Sequence, residues 1–275
     1  KNKYGKFNSN ELNYILNVID DKTKNIDYVQ KLEGEFCKKF KVRYSIACNS
    51  GTSGLHTSLA AIGVGPGDEV IVPGLTVVMD AYAAIHLGAK PIFAEVDRDT
   101  FLVTSETIKK KISKKTKAII LVSLQGLPVD IDPIRKLAKK NNIYIIEDNA
   151  QDFFGKYKNK ISGTLGDIGV WSFENKKHLS GASEGGIIST NSKYLAEKIR
   201  KFAGIGYKNM TAYGGRTSLS IEKVQDPNYE RFDTIGLNYR MPKIVAAVCL
   251  AQLQRFNKII NRRVKVAKIF RQAIK

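Results

Sequence analysis

Residues 118–151 read AIILVSLQGLPVDIDPIRKLAKKNNIYIIEDNAQ and alternate between short apolar runs and one amphipathic segment. The runs at 118–122 and 143–148 predict two buried strands, and the apolar spacing between them predicts a helix over 134–140. A strand, a helix and a second strand in this order are typical of a parallel β-α-β unit. This stretch therefore indicates an α/β protein whose sheet is covered by helices on both faces.

The same alternation continues on both sides of this stretch, which predicts one mostly parallel sheet. We divide the chain into an N-terminal helical segment (1–32), a large α/β domain (33–241) and one long C-terminal helix (242–275). In open sheets of this kind, ligands bind beyond the carboxyl ends of the strands, so polar residues that follow strands are the candidates for function. The further predicted strands cover 45–48, 69–73, 90–94 and 168–171, and the further predicted helices cover 10–18, 27–40, 55–62 and 81–87.

Length and composition exclude several classes of protein. The chain has 275 residues, of which 43% are hydrophobic, so it can bury a substantial core and is neither fibrous nor disordered. We expect a soluble cytoplasmic protein, because no apolar run is long enough for a bilayer and no signal segment opens the chain. Cys37, Cys48 and Cys249 follow no metal-binding spacing, so we expect reduced thiols and no metal. The net charge of +19 comes from dispersed lysines, which indicates solubility rather than nucleic-acid binding.

Three segments carry candidate chemistry, each with a structural alternative. The residues 49–54, NSGTSG, follow a strand and open a helix, so they either bind a phosphate or simply cap the helix. Asp148 ends an apolar strand, where its carboxylate either meets a cation, such as a protonated heterocyclic nitrogen, or caps the next turn. Gln151 could reach the same place. Lys177 lies on a loop, where it is either solvated or reactive as an amine, and the neighbouring His178 is either structural or a base.

Taken together, seven ordered motifs resemble one family. The chain is similar to the DegT/DnrJ/EryC1/StrS family of sugar aminotransferases, which are pyridoxal-phosphate (PLP) enzymes of the aspartate-aminotransferase fold, from about Glu33 to its end. The motifs are SGT (50–52) with LH (55–56), GPGDEVIVP (65–73), GAKP (88–91), EDNAQ (147–151), SF (172–173) with Lys177, EGG (184–186) and GLNYRM (236–241).

The resemblance implies a role for each matching residue. Lys177 would form the internal aldimine with PLP and later move the proton, and Asp148 would keep the pyridine nitrogen protonated. Gln151 would lie beside the ring and its 3-hydroxyl. An active homodimer is also implied, because one phosphate ligand would reach across from a second subunit. The implied phosphate ligands are Gly51, Thr52, Ser172 and, from that second subunit, Asn238.

The implied reaction moves an amino group from L-glutamate, or a similar donor, to a keto-sugar that is nucleotide-linked, in a pathway such as polysaccharide biosynthesis. Two alternatives stay open: a PLP- or PMP-dependent sugar dehydratase of the same family, in which histidine replaces the lysine, and a non-catalytic member that binds PLP or a partner. Substrate specificity is expected in the loop 204–229, where Tyr207, Tyr213, Arg216 and Tyr229 are candidate contacts, or equally surface or dimer contacts.

The chain departs from the family pattern in three places. Val77 stands where members commonly place an aromatic ring against the cofactor. Lys176 precedes Lys177, so the sequence leaves open which amine reacts. The resemblance also implies a small C-terminal domain that is incomplete here, which puts the activity of this chain alone in question.

Overall fold

The computed structural model describes residues 6–7, 9–20, 26–215 and 220–274, so parts of the predicted segment 1–32 lie outside the described residues. Strands and helices alternate in the described chain as the apolar pattern predicts. The strands are β1 Tyr44–Cys48, β2 Glu69–Pro73, β3 Lys90–Ala94, β4 Thr116–Val122, β5 Tyr144–Asp148, β6 Lys156–Tyr157, β7 Lys160–Ile161, β8 Ile168–Ser172 and β9 Gly186–Thr190. The helices are α1 Glu11–Ile19, α2 Tyr28–Phe40, α3 Gly51–Ala61, α4 Met79–Ile85, α5 Ser105–Lys109, α6 Ile131–Asn141, α7 Lys193–Ala203, α8 Ile221–Gln225, α9 Lys243–Gln254 and α10 Phe256–Ala273.

Seven strands form the main sheet in the order β1-β9-β8-β5-β4-β2-β3. The strands from β8 to β3 are parallel to one another, whereas β9 is antiparallel to both of its neighbours. The strands β1, β8 and β5 therefore end at the same edge of the sheet, and β9 begins there. The predicted mostly parallel sheet is confirmed, and this edge collects the segments that follow Cys48, Asp148 and Ser172.

Helices cover both faces of the sheet, which explains why its strands are almost continuously apolar. Ile120, Ile146 and Val170 pack on one face with residues of α3, α4 and α7. The opposite face is shared by two clusters, one around Ile119 under α5 and α6, and one around Trp171 under α2 and α9. Each strand at the centre thus buries both of its faces, and its polar residues are confined to its ends.

The C-terminal helix that we predicted as continuous is broken at Arg255, whose backbone has φ −100° and ψ 16°. Before the break α9 is buried against α1 and α2, and after it α10 is mostly exposed. The break lets Phe256 pack into the core on Phe40 and Phe154 while α10 leaves the sheet. Val248, Leu253 and Phe256 are buried, whereas Ile244 near the start of α9 and Val264 on α10 are exposed.

No helix within the described residues is long and apolar enough to span a membrane. The division of the chain at 32/33 and 241/242 stays a prediction.

Candidate active site

A cradle for an anion forms where α3 begins. The Ser50 hydroxyl accepts from the Ser53 amide (3.0 Å) and the Ser53 hydroxyl accepts from the Ser50 amide (3.1 Å), which fixes the first turn as a capping box. The amides of Gly51 and Thr52 have no acceptor within the helix, because the first-turn donors of any helix lack one. These amides and the positive end of the helix dipole can bind a phosphate.

The end of β8 closes this cradle. A Cβ on Gly51 would lie 2.9 Å from the Ser172 Cβ, so only glycine allows this approach without a shift. Ser172 is buried, and its hydroxyl accepts from the Glu174 amide (3.2 Å). Thr52 is exposed in the first turn of α3. The structure therefore brings Gly51, Thr52 and Ser172 together, and their role as phosphate ligands stays a prediction.

Asp148 lies at the same edge, at the end of β5. Its side chain is 7% exposed, and its Oδ1 accepts from the Ala150 amide (2.8 Å). Burial raises the pKa of Asp148, and the Ala150 amide, the Asp80 carboxyl and the Lys177 ammonium oppose that rise. A buried carboxylate with a cation beside it is suited to hold a second cationic group, such as a protonated ring nitrogen.

Lys177 and Lys176 differ in their surroundings. Lys177 is half-buried in the turn after β8, where its amide donates to the Glu174 carbonyl (2.9 Å) and its ammonium interacts with Asp148. Lys176 is exposed. The neighbouring His178 has its pKa lowered to about 4 by burial, Arg263 and Lys177, so its ring is neutral at pH 7. The geometry favours Lys177 as the amine that faces the site.

Two further predicted residues make contacts with other segments. The Gln151 side chain accepts from the Gln125 amide (2.8 Å), which ties it to the loop after β4. Asn238 is exposed, and its backbone pairs with Gly204. The next residue, Tyr239, joins this segment to the cradle, because its carbonyl accepts from the Asn49 amide (2.8 Å). The role of Asn238 across a subunit interface stays a prediction.

The residues considered for ring stacking and substrate contact are exposed or partly exposed. Val77 is exposed, and as a valine it supplies no aromatic ring at that position. Tyr213 packs against Tyr44 with ring centroids 5.3 Å apart, while Tyr207 packs against Phe232. Lys223 lies over the ring of Tyr229. Arg216 lies outside the described residues.

Sequence reasoning missed Asp80, which is fully buried in the first turn of α4. Its Oδ2 accepts from the Thr76 hydroxyl (2.5 Å), and its carboxyl is in hydrogen-bonding contact with that of Asp148. Burial and then the charge of Asp148 hold the pKa of Asp80 well above its usual range. The signal in the sequence was a lone carboxylate inside the otherwise apolar segment 77–85.

The cluster fits pyridoxal phosphate. The cradle that a Cβ at Gly51 would obstruct accepts a phosphate, and the buried Asp148 can hold a pyridinium nitrogen. Lys177 supplies an amine whose charge interacts with that of Asp148.

The family model described as the DegT/DnrJ/EryC1/StrS aminotransferase family matches residues 6–275. This chain belongs to that family. Members are pyridoxal-phosphate-dependent enzymes of the aspartate-aminotransferase fold, so the predicted family and fold class are confirmed. The family relation covers nearly the whole described chain.

Three similar relatives are named GDP-perosamine synthase. The one from Escherichia coli O157:H7 is 39% identical over 90% of this chain and 63% of its own length. The one from Caulobacter vibrioides is 37% identical over 98% of this chain and 68% of its own length, and the one from Vibrio cholerae is 33% identical over 96% and 68%. The chain thus spans 63–68% of the length of these relatives.

Solved structures share the fold. An aminotransferase from Psychrobacter cryohalolentis superposes with a TM-score of 0.81 at 32% identity, over 92% of this chain and 63% of the other. The GDP-4-keto-6-deoxymannose-3-dehydratase ColD, with bound GDP-perosamine, gives 0.82 at 26% identity over 98% and 72%. NtdA from Bacillus subtilis, with bound PMP cofactor, gives 0.74 at 26% identity over 90% and 54%.

Proposed function

We propose that this protein is a pyridoxal-phosphate-dependent aminotransferase that moves an amino group from L-glutamate, or a similar donor, to a nucleotide-linked keto-sugar. One observation carries the proposal: Lys177 and Asp148 interact at the sheet edge where Gly51 and Ser172 form an anion cradle. An amine, a buried carboxylate and a phosphate cradle at one edge are what this chemistry requires.

Each residue has a distinct task in this proposal. The amides of Gly51 and Thr52, with the Ser172 hydroxyl, hold the phosphate and thereby fix the position of the ring. Asp148 keeps a proton on the pyridine nitrogen, because its buried negative charge favours a cationic partner. Pyridoxal phosphate, when bound, supplies the electron sink and carries the amino group between the two substrates. The Nζ of Lys177 anchors the cofactor and then moves the proton at the substrate Cα.

The similar proteins suggest a sugar. All three named relatives are GDP-perosamine synthases, and the related dehydratase was solved with GDP-perosamine bound. We therefore propose a GDP-linked 4-keto-6-deoxymannose as the acceptor and a GDP-linked amino sugar as the product, for polysaccharide biosynthesis. The net charge of +19 would favour the approach of an anionic nucleotide sugar.

The proposal includes a homodimer with shared active sites and a cytoplasmic location. The dimer is supported by the family resemblance, in which Asn238 reaches a neighbouring phosphate. The location is supported by the free thiols of Cys37, Cys48 and Cys249, since thiols persist in a reducing compartment.

The alternative is a sugar dehydratase of the same family, and the structural similarity to the GDP-sugar dehydratase favours it as the second candidate. In that enzyme class histidine takes the lysine position. Here Lys177 interacts with Asp148, and the neutral His178 is one residue further along the chain. The two reactions differ in the fate of the amino group: the aminotransferase leaves it on the sugar, whereas a PMP-dependent dehydratase removes a sugar hydroxyl and releases the nitrogen as ammonia.

The test is a covalent trap with a matched pair of variants. Purified protein is mixed with PLP, reduced with borohydride and digested, and the pyridoxyl-labelled peptide is identified by mass spectrometry. We expect the label on Lys177, its loss in Lys177→Ala, and its retention in Lys176→Ala, because Lys176 is exposed. L-glutamate added before reduction should remove the label and yield 2-oxoglutarate. A label on Lys176, or no binding of PLP to the wild-type chain, would overturn the proposal.

The sugar is tested in the same preparation. With L-glutamate and GDP-4-keto-6-deoxymannose, equal amounts of 2-oxoglutarate and a GDP-amino sugar are expected. A deoxygenated keto-sugar that carries no amino group, formed with release of ammonia, would establish the dehydratase instead.

A further inference from the structure

Asp80 is a fully buried carboxyl that the proposed mechanism does not use. It lies in the first turn of α4, and its Oδ2 accepts from the Thr76 hydroxyl (2.5 Å). Its Oδ1 is buried and, among the described residues, receives no hydrogen bond from a donor. The same carboxyl is in hydrogen-bonding contact with the side chain of Asp148. A buried oxygen without a donor beside another carboxyl indicates that a proton lies between the two.

Two carboxyl groups in contact inside an apolar environment do not both ionise, because the like charges repel each other and neither is solvated. The surroundings determine which one keeps the proton. Asp148 accepts from a backbone amide and interacts with the Lys177 ammonium, and both favour its charged form. Asp80 has only the Thr76 hydroxyl and the charge of Asp148 beside it. The charge therefore belongs on Asp148 and the proton on Asp80.

Other ionisable groups near α4 face elsewhere. His56, on the packed helix α3, bonds the Tyr239 hydroxyl (2.9 Å), and its ring lies 6.0 Å from that of His86. Within the described residues, the groups that set the protonation of the Asp80–Asp148 pair are the two carboxyls themselves, the Ala150 amide, the Thr76 hydroxyl and Lys177.

We propose that Asp80 is a positioning residue whose Oδ1–H donates a hydrogen bond to the Asp148 carboxylate, and so holds Asp148 charged and oriented for the pyridine nitrogen. The orientation of Asp148 toward the pyridine nitrogen rests on the proposed function, whereas the location of the proton on Asp80 does not. A hydrogen bond to a charged acceptor is among the stronger ones and restricts rotation of its partner. The pair then presents one negative charge at the site rather than two.

The proton is tested on the purified protein without added cofactor, by infrared spectroscopy at pH 7. We expect a carbonyl-stretch band of a protonated carboxylic acid in the wild type, its loss in Asp80→Asn and its retention in Asp148→Asn. A band lost in Asp148→Asn but kept in Asp80→Asn would place the proton on Asp148 and overturn the proposal. The lack of any such band at pH 7 would overturn it as well.

The positioning role is tested by PLP affinity. In Asp80→Asn the amide N–H can replace the acid O–H toward Asp148, and the amide oxygen can still accept from Thr76. We expect this variant to bind PLP within about threefold of the wild type, whereas Asp80→Val weakens binding about tenfold or more, because Asp148 loses a donor. Equal weakening in both variants would overturn the positioning role.

The two proposals can fail separately. If the wild-type chain does not bind PLP, the proposed function fails, and the infrared spectra still decide where the proton lies. If Asp80→Val does not fold, Asp80→Ala takes its place in the affinity measurement, since it also removes the donor to Asp148. Asp80→Asn is then expected to bind PLP more tightly than Asp80→Ala.

Discussion

Glu147 and Asp148 are neighbours on β5, and both are buried, with 4% and 7% of their surfaces exposed. They differ in how many backbone hydrogen bonds the protein supplies to their carboxylate oxygens. Glu147 accepts from three backbone amides, those of Gly163 (2.8 Å), Leu165 (2.7 Å) and Gly166 (2.6 Å). Asp148 accepts from a single backbone amide of the described residues, that of Ala150.

This difference separates a structural carboxyl from a functional one. Successive residues of a strand point to opposite faces, so the two side chains enter different environments. Through these hydrogen bonds Glu147 holds the loop before β8 against the centre of the sheet, and groups of the chain itself satisfy its carboxylate. Asp148 keeps acceptor capacity at the sheet edge, beside the Lys177 ammonium. Burial alone therefore does not identify a functional site. A buried polar group whose hydrogen-bonding capacity the protein leaves partly unused does identify one.

The largest effect is expected from Glu147→Ala, which leaves three buried amides without an acceptor. We expect the free energy of unfolding to fall by about 3–5 kcal/mol, as measured by urea denaturation. Glu147→Gln is the matched control: its oxygen can still serve Leu165 and Gly166, but its NH2 would face the Gly163 N–H, so an intermediate loss is expected. A loss below about 1 kcal/mol in Glu147→Ala would contradict the structural assignment.

Asp148→Asn should lower activity rather than stability, in contrast to Glu147→Ala. The asparagine oxygen can accept from Ala150, but it carries no charge for the pyridine nitrogen, so PLP-dependent turnover should fall roughly 100-fold or more. The free energy of unfolding should not decrease, because a buried charge is removed. A variant that loses stability as severely as Glu147→Ala would remove the distinction between the two residues.

The pH dependence of stability sharpens this prediction. Burial raises the pKa of Asp148 in the folded state, so the folded protein holds that proton more tightly than the unfolded chain. The resulting stabilisation is complete below the ordinary carboxyl pKa of about 4 and is lost as the pH rises through the raised value. The midpoint temperature of thermal unfolding of Asp148→Asn should therefore increase relative to that of the wild type as the pH rises above about 4. A constant difference across that range would contradict the raised pKa.

Much of the fold followed from the apolar runs, because strands buried on both faces leave an unmistakable pattern. The strands Glu69–Pro73 and Lys90–Ala94 have the bounds that we predicted. The strand β9 was not among the predicted strands, and its antiparallel direction has no signature in the sequence, because a buried strand has the same composition in either direction. The break at Arg255 was also missed, since the apolar spacing continues through it and only tertiary packing of Phe256 requires it.

The sequence predicted those residues of the candidate site that belong to a recognisable motif. It could not predict the residues that join the site only through a tertiary contact. Gly51, Ser172, Asp148 and Lys177 follow strands that end at one edge, and the structure places them there. Asp80 lies 68 residues before Asp148 in the sequence, and only the order of the strands brings the two carboxyls together. The importance of Glu147 depends likewise on the loop at 163–166, which has no distinctive composition.

A pair of glycines extends the comparison to the smallest expected effect. Gly51→Ala places a Cβ 2.9 Å from the Ser172 Cβ, at a helical position that alanine favours. We expect PLP affinity to fall about tenfold and the midpoint of thermal unfolding to fall less than in the control, because the start of α3 must shift away from Ser172 and this narrows the phosphate cradle. The matched control, Gly163→Ala, introduces a Cβ at φ +87° and 2.3 Å from the Trp171 ring, beside Glu147. It should destabilise the fold instead, since backbone and ring must both move. If Gly51→Ala lowered the unfolding midpoint as much as Gly163→Ala, the start of α3 would serve stability, as Glu147 does, rather than cofactor binding.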